Sequence, residues 1–112
     1  MGAGFVRLCT DANFERDVRG AERPVFVAFG TAWCGPCGRL APGLRALASI
    51  EKDRLTVVKV DAEASPETAW RWRIELYPTC ILFKDGEPVL RFDGYMPLRK
   101  IEEALAPHLA SP

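Results

Sequence analysis

The stretch Trp33-Cys34-Gly35-Pro36-Cys37 decides how this chain is read, because it sets two thiols one helical turn apart, just after the apolar run Val25-Phe26-Val27-Ala28-Phe29. A run of that kind predicts a buried strand. After it, Cys37, Leu40, Leu44, Leu47 and Ile50 recur at helical spacing, so the first thiol falls at a helix N-terminus and the second just inside it. Cα atoms three apart on a helix lie roughly 5 to 5.5 Å from one another, within the window a disulfide accepts. Such a bridge can open and close without large backbone movement.

Electrostatics separates the two sulfurs. Cys34 stands where unpaired backbone N–H groups point outward and meets the positive end of the helix dipole, which favours thiolate and lowers its pKa below the free value. Cys37, inside the first turn and more covered, is expected to stay protonated until the first sulfur is engaged. Pro36 suits this place, since it lacks an N–H that would be unpaired anyway and its fixed φ favours helix initiation.

Size and charge narrow the field. A chain of 112 residues, nearly half apolar, is expected to form one domain spanning 1–112 around a single core. Fifteen basic and fifteen acidic residues balance to zero, which gives no reason to expect a nucleic-acid or membrane-surface partner. No apolar run approaches the length of a membrane span, and Met1 to Leu8 lacks the charged-then-apolar order of a signal peptide, so the cytoplasm is the expected location. In a reducing compartment a Cys-x-x-Cys pair reads as a redox motif, and its loop is too small for a useful staple.

Along the chain, Phe5-Val6-Arg7-Leu8 reads as a short strand, and Thr10 as the N-cap of a helix to about Arg19 with Phe14 and Val18 facing inward. Gly20 ends it. The helix that opens at the cysteines is expected to run to about Lys52, with Pro42 inside it as a kink. Leu55 to Val60 is a second interior strand, parallel to the first, and Ser65-Pro66 starts a short helix to about Trp72. Thr79 to Phe83 turns at Asp85-Gly86 into Val89 to Phe92, and an amphipathic helix carrying Leu98, Ile101, Leu105 and Leu109 closes the chain. Residues beyond Leu109 are expected to fray. The order βαβαβαββα predicts an α/β fold, with right-handed parallel crossovers followed by an antiparallel hairpin.

Three separated features together resemble the thioredoxin family over nearly the whole chain: the Trp33 to Cys37 motif, Pro42 after it, and Tyr77-Pro78-Thr79 followed by the Phe83-Lys84-Asp85-Gly86 turn. The resemblance implies the thioredoxin fold, a central mixed β-sheet flanked by helices on both faces. It implies that Pro78 is cis and faces the dithiol, with Tyr77 offering backbone hydrogen bonds to an extended substrate. The reaction implied is thiol–disulfide exchange: Cys34 attacks a protein disulfide, a mixed disulfide forms, and Cys37 resolves it. No bound cofactor is implied; electrons come from a flavin-dependent thioredoxin reductase, and the protein is expected to act as a monomer. Gly35-Pro36 between the cysteines is typical of reducing members, and potentials of ~−270 mV for thioredoxin and ~−180 mV for the isomerase differ by roughly 4 kcal/mol. A protein-disulfide reductase and electron carrier in cell redox homeostasis is therefore the leading reading. The alternatives are a protein-binding module with an incidental dithiol, and a dithiol oxidase or isomerase, which Tyr77 encourages and Pro36 discourages.

Departures from the family pattern sharpen these expectations. Ala28 stands where most members bury an aspartate that takes the second cysteine's proton, so resolution is expected to be slower or to use water. Lys59, the usual neighbour of that aspartate, is expected to reach solvent or another carboxylate. Gly38 removes a positive charge near the dithiol. Trp33, Leu76, Tyr77, Asp93, Gly94 and Tyr95 are expected to form a bulky, partly negative substrate rim, and Arg73 to take positive φ at a helix end.

Other residues have plainer readings. A zinc site would need Cys9, Cys80 or His108 to complete Cys34 and Cys37, and these are scattered over different elements. Cys80 and Cys9 read as small buried apolar residues, His108 as a solvated residue near a helix C-terminus, and Trp70 with Trp72 as covers on a core edge.

Overall fold

The computed structural model describes residues 4–109. Its strands β1 (Arg7–Cys9), β2 (Val25–Gly30), β3 (Thr56–Asp61), β4 (Thr79–Lys84) and β5 (Glu87–Asp93) form one sheet in the order β1-β3-β2-β4-β5. The first three run parallel; β4 is antiparallel to β2, and β5 to β4. Helices α1 (Gly35–Ile50), α2 (Pro66–Arg71) and α3 (Leu98–Leu109) complete the expected order.

Strand β2 is central and covered on both faces, which is why its sequence is an unbroken apolar run. Its side chains alternate between two cores. Phe26 and Ala28 pack with Leu44 and Leu47 of α1 and with Ile101 and Leu105 of α3. Val25, Val27 and Phe29 pack on the other face with Phe14, Val18, Val58, Val60 and Phe83. Each large side chain buried this way contributes roughly 1.5–3 kcal/mol, so the site at the end of β2 rests on the best-held part of the molecule.

The hairpin turn follows from its residue types. Asp85 (φ 53°) and Gly86 (φ 80°) both take left-handed φ, the pairing that a two-residue hairpin loop demands. A Cβ on Gly86 would lie 2.5 Å from the carbonyl oxygen of Arg19, so only glycine lets the hairpin tip rest on that segment. Arg19 Nε in turn donates to the Gly86 carbonyl.

Several boundaries differ from the sequence expectation. The first strand starts two residues later than expected and ends one later, over Arg7–Cys9. The segment after Thr10 begins as a turn, in which Thr10 N–H donates to Asn13 Oδ1 at 2.8 Å and Thr10 Oγ1 accepts from Ala12 N–H at 3.2 Å. Only Glu15–Arg19 is regular helix, and it is wide: Gly20 N–H bonds the carbonyl of Glu15, five residues back, at 2.9 Å. Helix α1 stops at Ile50. Ser65 precedes α2, but its hydroxyl makes no capping bond; Asp11 caps that helix from across the fold, accepting from Thr68 N–H at 2.8 Å and Glu67 N–H at 3.2 Å. Trp72 covers a core edge, 5.0 Å edge-on to Phe83, whereas Trp70 stands 84% exposed. The residues expected to fray beyond Leu109 lie outside the described residues.

Candidate active site

The site forms where β2 ends and α1 begins. Cys34 is the N-cap of α1, with extended backbone (φ −87°, ψ 114°), and its sulfur accepts from Cys37 N–H at 3.2 Å. Sulfur is a weak acceptor as a neutral atom and a strong one as thiolate, so the free amides of the first turn are poised for the ionised form. Cys37 lies one turn on, its Cα 5.2 Å from that of Cys34, and the two sulfurs are disulfide-bonded. Both cysteines are half-buried, whereas the sequence led us to expect Cys37 to be the more covered. Their surroundings distinguish them.

Around Cys34 lies an exposed rim. Trp33 is 68% exposed, stands edge-on to Tyr77 at 6.4 Å, and donates its indole N–H to Glu63 at 3.2 Å. The Tyr77–Pro78 peptide is cis. Gly94 N–H bonds the carbonyl of Pro78 at 2.7 Å, which joins the end of β5 to that loop. Leu76 and Tyr95 are exposed as well.

The rim is not negative in the way the sequence suggested. Asp93 is paired with Arg91 at 3.0 Å, and Arg91 also donates to the carbonyls of Trp72 (2.7 Å) and Arg73 (2.8 Å) at the end of α2. Arg39 lies over the Tyr95 ring at 5.7 Å, which supplies a cation one residue beyond Gly38. Arg73 takes φ 54° as expected, and two bonds from Arg91, to the carbonyls of Trp72 and Arg73, brace the turn it makes.

Beneath Cys37 the ground is different. Gly30 lies against it so closely that a Cβ there would meet the Cys37 sulfur at 2.7 Å. A cavity of about 300 Å³ opens beside that sulfur, lined by Leu8, Gly30, Thr31, Ala32, Cys37, Lys59, Val60 and Asp61. Ala28 pairs in register with Lys59, whose side chain is exposed, so the ammonium reaches solvent as expected.

The other cysteines stay out of this chemistry. Cys80 is buried in β4, and burial pushes its thiol up to about 12, so no thiolate forms near neutrality. Cys9 is buried too, and its thiol is raised first by burial and then by Asp17. Among the described residues no three His, Cys, Asp or Glu side chains converge as a metal site.

Sequence reasoning found Cys34, Cys37, Trp33, Tyr77 and Pro78 together, and missed Gly30 against the Cys37 sulfur and Arg91 on the carbonyls at the end of α2. Only Gly30 carried a usable signal, since glycine ending a buried strand marks a close approach.

Two cysteines bridged at the start of a helix, one with its sulfur against the first-turn amides, define a thiol–disulfide oxidoreductase. Comparison with known proteins agrees. A family model described as Thioredoxin matches residues 5–107. The chain is 44% identical over 97 residues to a thioredoxin of Alicyclobacillus acidocaldarius, covering 87% of this chain and 91% of the relative. It is 47% identical over 85 residues to a thioredoxin of Mycobacterium tuberculosis strain H37Rv, covering 76% and 73%. It is also 44% identical over 92 residues to a bifunctional thioredoxin reductase/thioredoxin of Mycobacterium leprae, covering 82% of this chain and 20% of that protein. The chain belongs to the thioredoxin family, and Cys34 and Cys37 are its redox pair for thiol–disulfide exchange.

Proposed function

We propose that this protein is a protein-disulfide reductase and electron carrier, working as a single monomeric domain in the cytoplasm and passing electrons in support of cell redox homeostasis. The observation that carries the reading is the Cys34 sulfur receiving the Cys37 N–H at the start of α1, which favours a nucleophilic thiolate in the reduced protein. Thiolate Cys34 attacks one sulfur of a substrate disulfide and releases the other as thiolate; Cys37 then attacks Cys34, freeing reduced substrate and leaving the bridged pair. Trp33, Gly35, Pro36, Leu76, Tyr77, Pro78, Asp93, Gly94 and Tyr95 form the surface that holds the substrate chain during this exchange. Electrons return from a flavin-dependent thioredoxin reductase, and the Mycobacterium leprae relative, named for both activities, supports that pairing. Among the described residues no helix is long and apolar enough to cross a membrane.

The test is insulin-disulfide turnover with a flavin-dependent thioredoxin reductase and NADPH. The wild type turns over; Cys34→Ser does not react, and Cys37→Ser accumulates the mixed disulfide at Cys34. A second reading, a binding module, draws on the exposed apolar side chains of Trp33, Leu76 and Tyr95. Partner binding that survives both substitutions, together with absent turnover in the wild type, would favour it.

A further inference from the structure

We propose that Arg39, stacked on the Tyr95 ring at the α1 side of the rim, selects protein disulfides that carry an acidic side chain on one flank of the cystine. This rests on the exchange reaction proposed above and narrows the substrates of that reaction.

The helix fixes where the cation stands. Residues four apart on a helix share a face, so Arg39 lies on the side of α1 that carries Gly43. That side meets the start of α3, since a Cβ on Gly43 would lie 3.8 Å from the Leu98 Cβ. Tyr95 comes three residues before Leu98, and the Arg39 guanidinium rests over its ring at 5.7 Å. The next residue back, Gly94, donates its N–H to the Pro78 carbonyl at 2.7 Å. Tyr77, on the other side of the cis peptide, stands edge-on to Trp33, the residue before Cys34. A chain of contacts thus joins Arg39 to the neighbourhood of the nucleophile.

Stacking leaves the cation free to bind. A guanidinium is planar, and its face lies on the ring while its N–H groups point outward in its own plane. Those are the directions along which a carboxylate is held by two parallel hydrogen bonds. Among the described residues Arg39 pairs with no carboxylate, and both Arg39 and Tyr95 are exposed. The ring also narrows the freedom of a long side chain, so less is lost when an anion arrives.

The two ends of the rim differ in sign. At the Trp33 end Glu63 accepts the indole N–H at 3.2 Å. Between the ends Asp93 is paired with Arg91 at 3.0 Å, and Arg73 and Glu75, both exposed before Leu76, add one charge of each sign. At the Tyr95 end stands Arg39. An extended segment lying across Cys34 therefore meets a cation on one flank of its cystine and a carboxylate on the other. Side chains two apart in such a segment project from one face, about 7 Å from one another. Acids two or four residues from the attacked cysteine are the ones turned toward the rim with it.

Peptide disulfides with glutamate or lysine two or four residues to either side of the cysteine, reduced by this protein with a thioredoxin reductase and NADPH, test the proposal. On one flank glutamate is expected to raise kcat/KM about three- to fivefold over lysine, the scale of an exposed charge pair, and the preference shrinks as salt is raised. On the other flank glutamate brings no gain. Arg39→Gln abolishes the preference and Arg39→Glu turns it toward lysine; both residues suit an exposed helix position, so the fold is kept. Tyr95→Leu weakens the preference, because the guanidinium loses its ring. Arg45→Gln, which removes a charge six residues on along the same helix, leaves it in place. Dithiodipyridine, an uncharged disulfide, reacts with reduced Arg39→Gln at the wild-type rate. Equal kcat/KM for glutamate and lysine peptides at every position in the wild type, or a preference untouched by Arg39→Glu, would overturn the proposal. So would equal slowing of peptides and dithiodipyridine by Arg39→Gln, which would place Arg39 on the Cys34 thiolate instead of on the substrate. Failure of the wild type to react with dithiodipyridine would instead strike at the exchange reaction itself.

Discussion

Helices α1 and α2 both begin with proline in the first turn, yet their free amides meet different partners. At α1 the cap is the Cys34 sulfur, a neighbour in sequence and a weak acceptor until it ionises. At α2 the cap is the Asp11 carboxylate, brought from 57 residues away, and it also accepts from the Thr68 hydroxyl at 2.6 Å. The second helix has its amides satisfied for good, which serves stability. In the first they are held for a charge that appears only when the disulfide opens, which serves chemistry.

Exchanging the cap at α1 is the harshest way to test this contrast. Cys34→Ser is expected to lower insulin-disulfide turnover by at least ~10³-fold, since the nucleophile is gone. Because serine is a strong N-cap, the reduced variant should melt no lower than reduced wild type. A marked fall in its melting temperature would mean that the sulfur is a structural cap after all.

Removing the cap at α2 should do the reverse. Asp11→Ala is expected to lower the melting temperature by a few degrees while turnover stays within about twofold. Acid titration adds a sign. The Thr68 hydroxyl, and then the Thr68 and Glu67 amides, hold the Asp11 carboxyl below its ordinary 3.8. A lowered folded value stabilises at pH above the unfolded one and is lost as pH falls through the folded one. Melting temperatures of Asp11→Asn should therefore fall less steeply below about pH 4 than those of wild type. Parallel acid limbs would remove Asp11 from the account.

The mildest expected change is at the far end of α2. Arg91→Ala frees the carbonyls of Trp72 and Arg73, loosening the turn that leads to Tyr77 and Pro78. The KM for insulin should rise roughly two- to fivefold while reaction with a small aromatic disulfide is unaffected, because only an extended chain uses the rim. Equal effects on both substrates would place Arg91 outside recognition.

The same contrast explains what the sequence disclosed. Local features were legible: the apolar run of β2, the helical spacing after Cys37, and Asp85-Gly86 each depend on residues a few positions apart, where period and turn chemistry act. The unbroken apolar run from Val25 to Phe29 told of burial without naming what covers each face. Contacts closed by the fold left no such trace. Asp11 capping α2, Arg91 reaching two carbonyls and Thr31 sharing a cavity with Asp61 all join elements distant in the chain. Ser65-Pro66 even suggested a local cap that the structure does not use. The helix before Gly20 ended where expected and departed at its start, where the Thr10–Asn13 turn takes the place of a helical cap.

The central claim is that Cys34 and Cys37 form a reducing pair. It is tested most directly by equilibrating the protein with dithiothreitol buffers of graded ratio and reading the fraction of free Cys34 and Cys37 by alkylation. A midpoint near ~−270 mV is predicted, as befits a donor of electrons to protein disulfides; a midpoint near ~−180 mV would contradict it and mark an oxidant or isomerase.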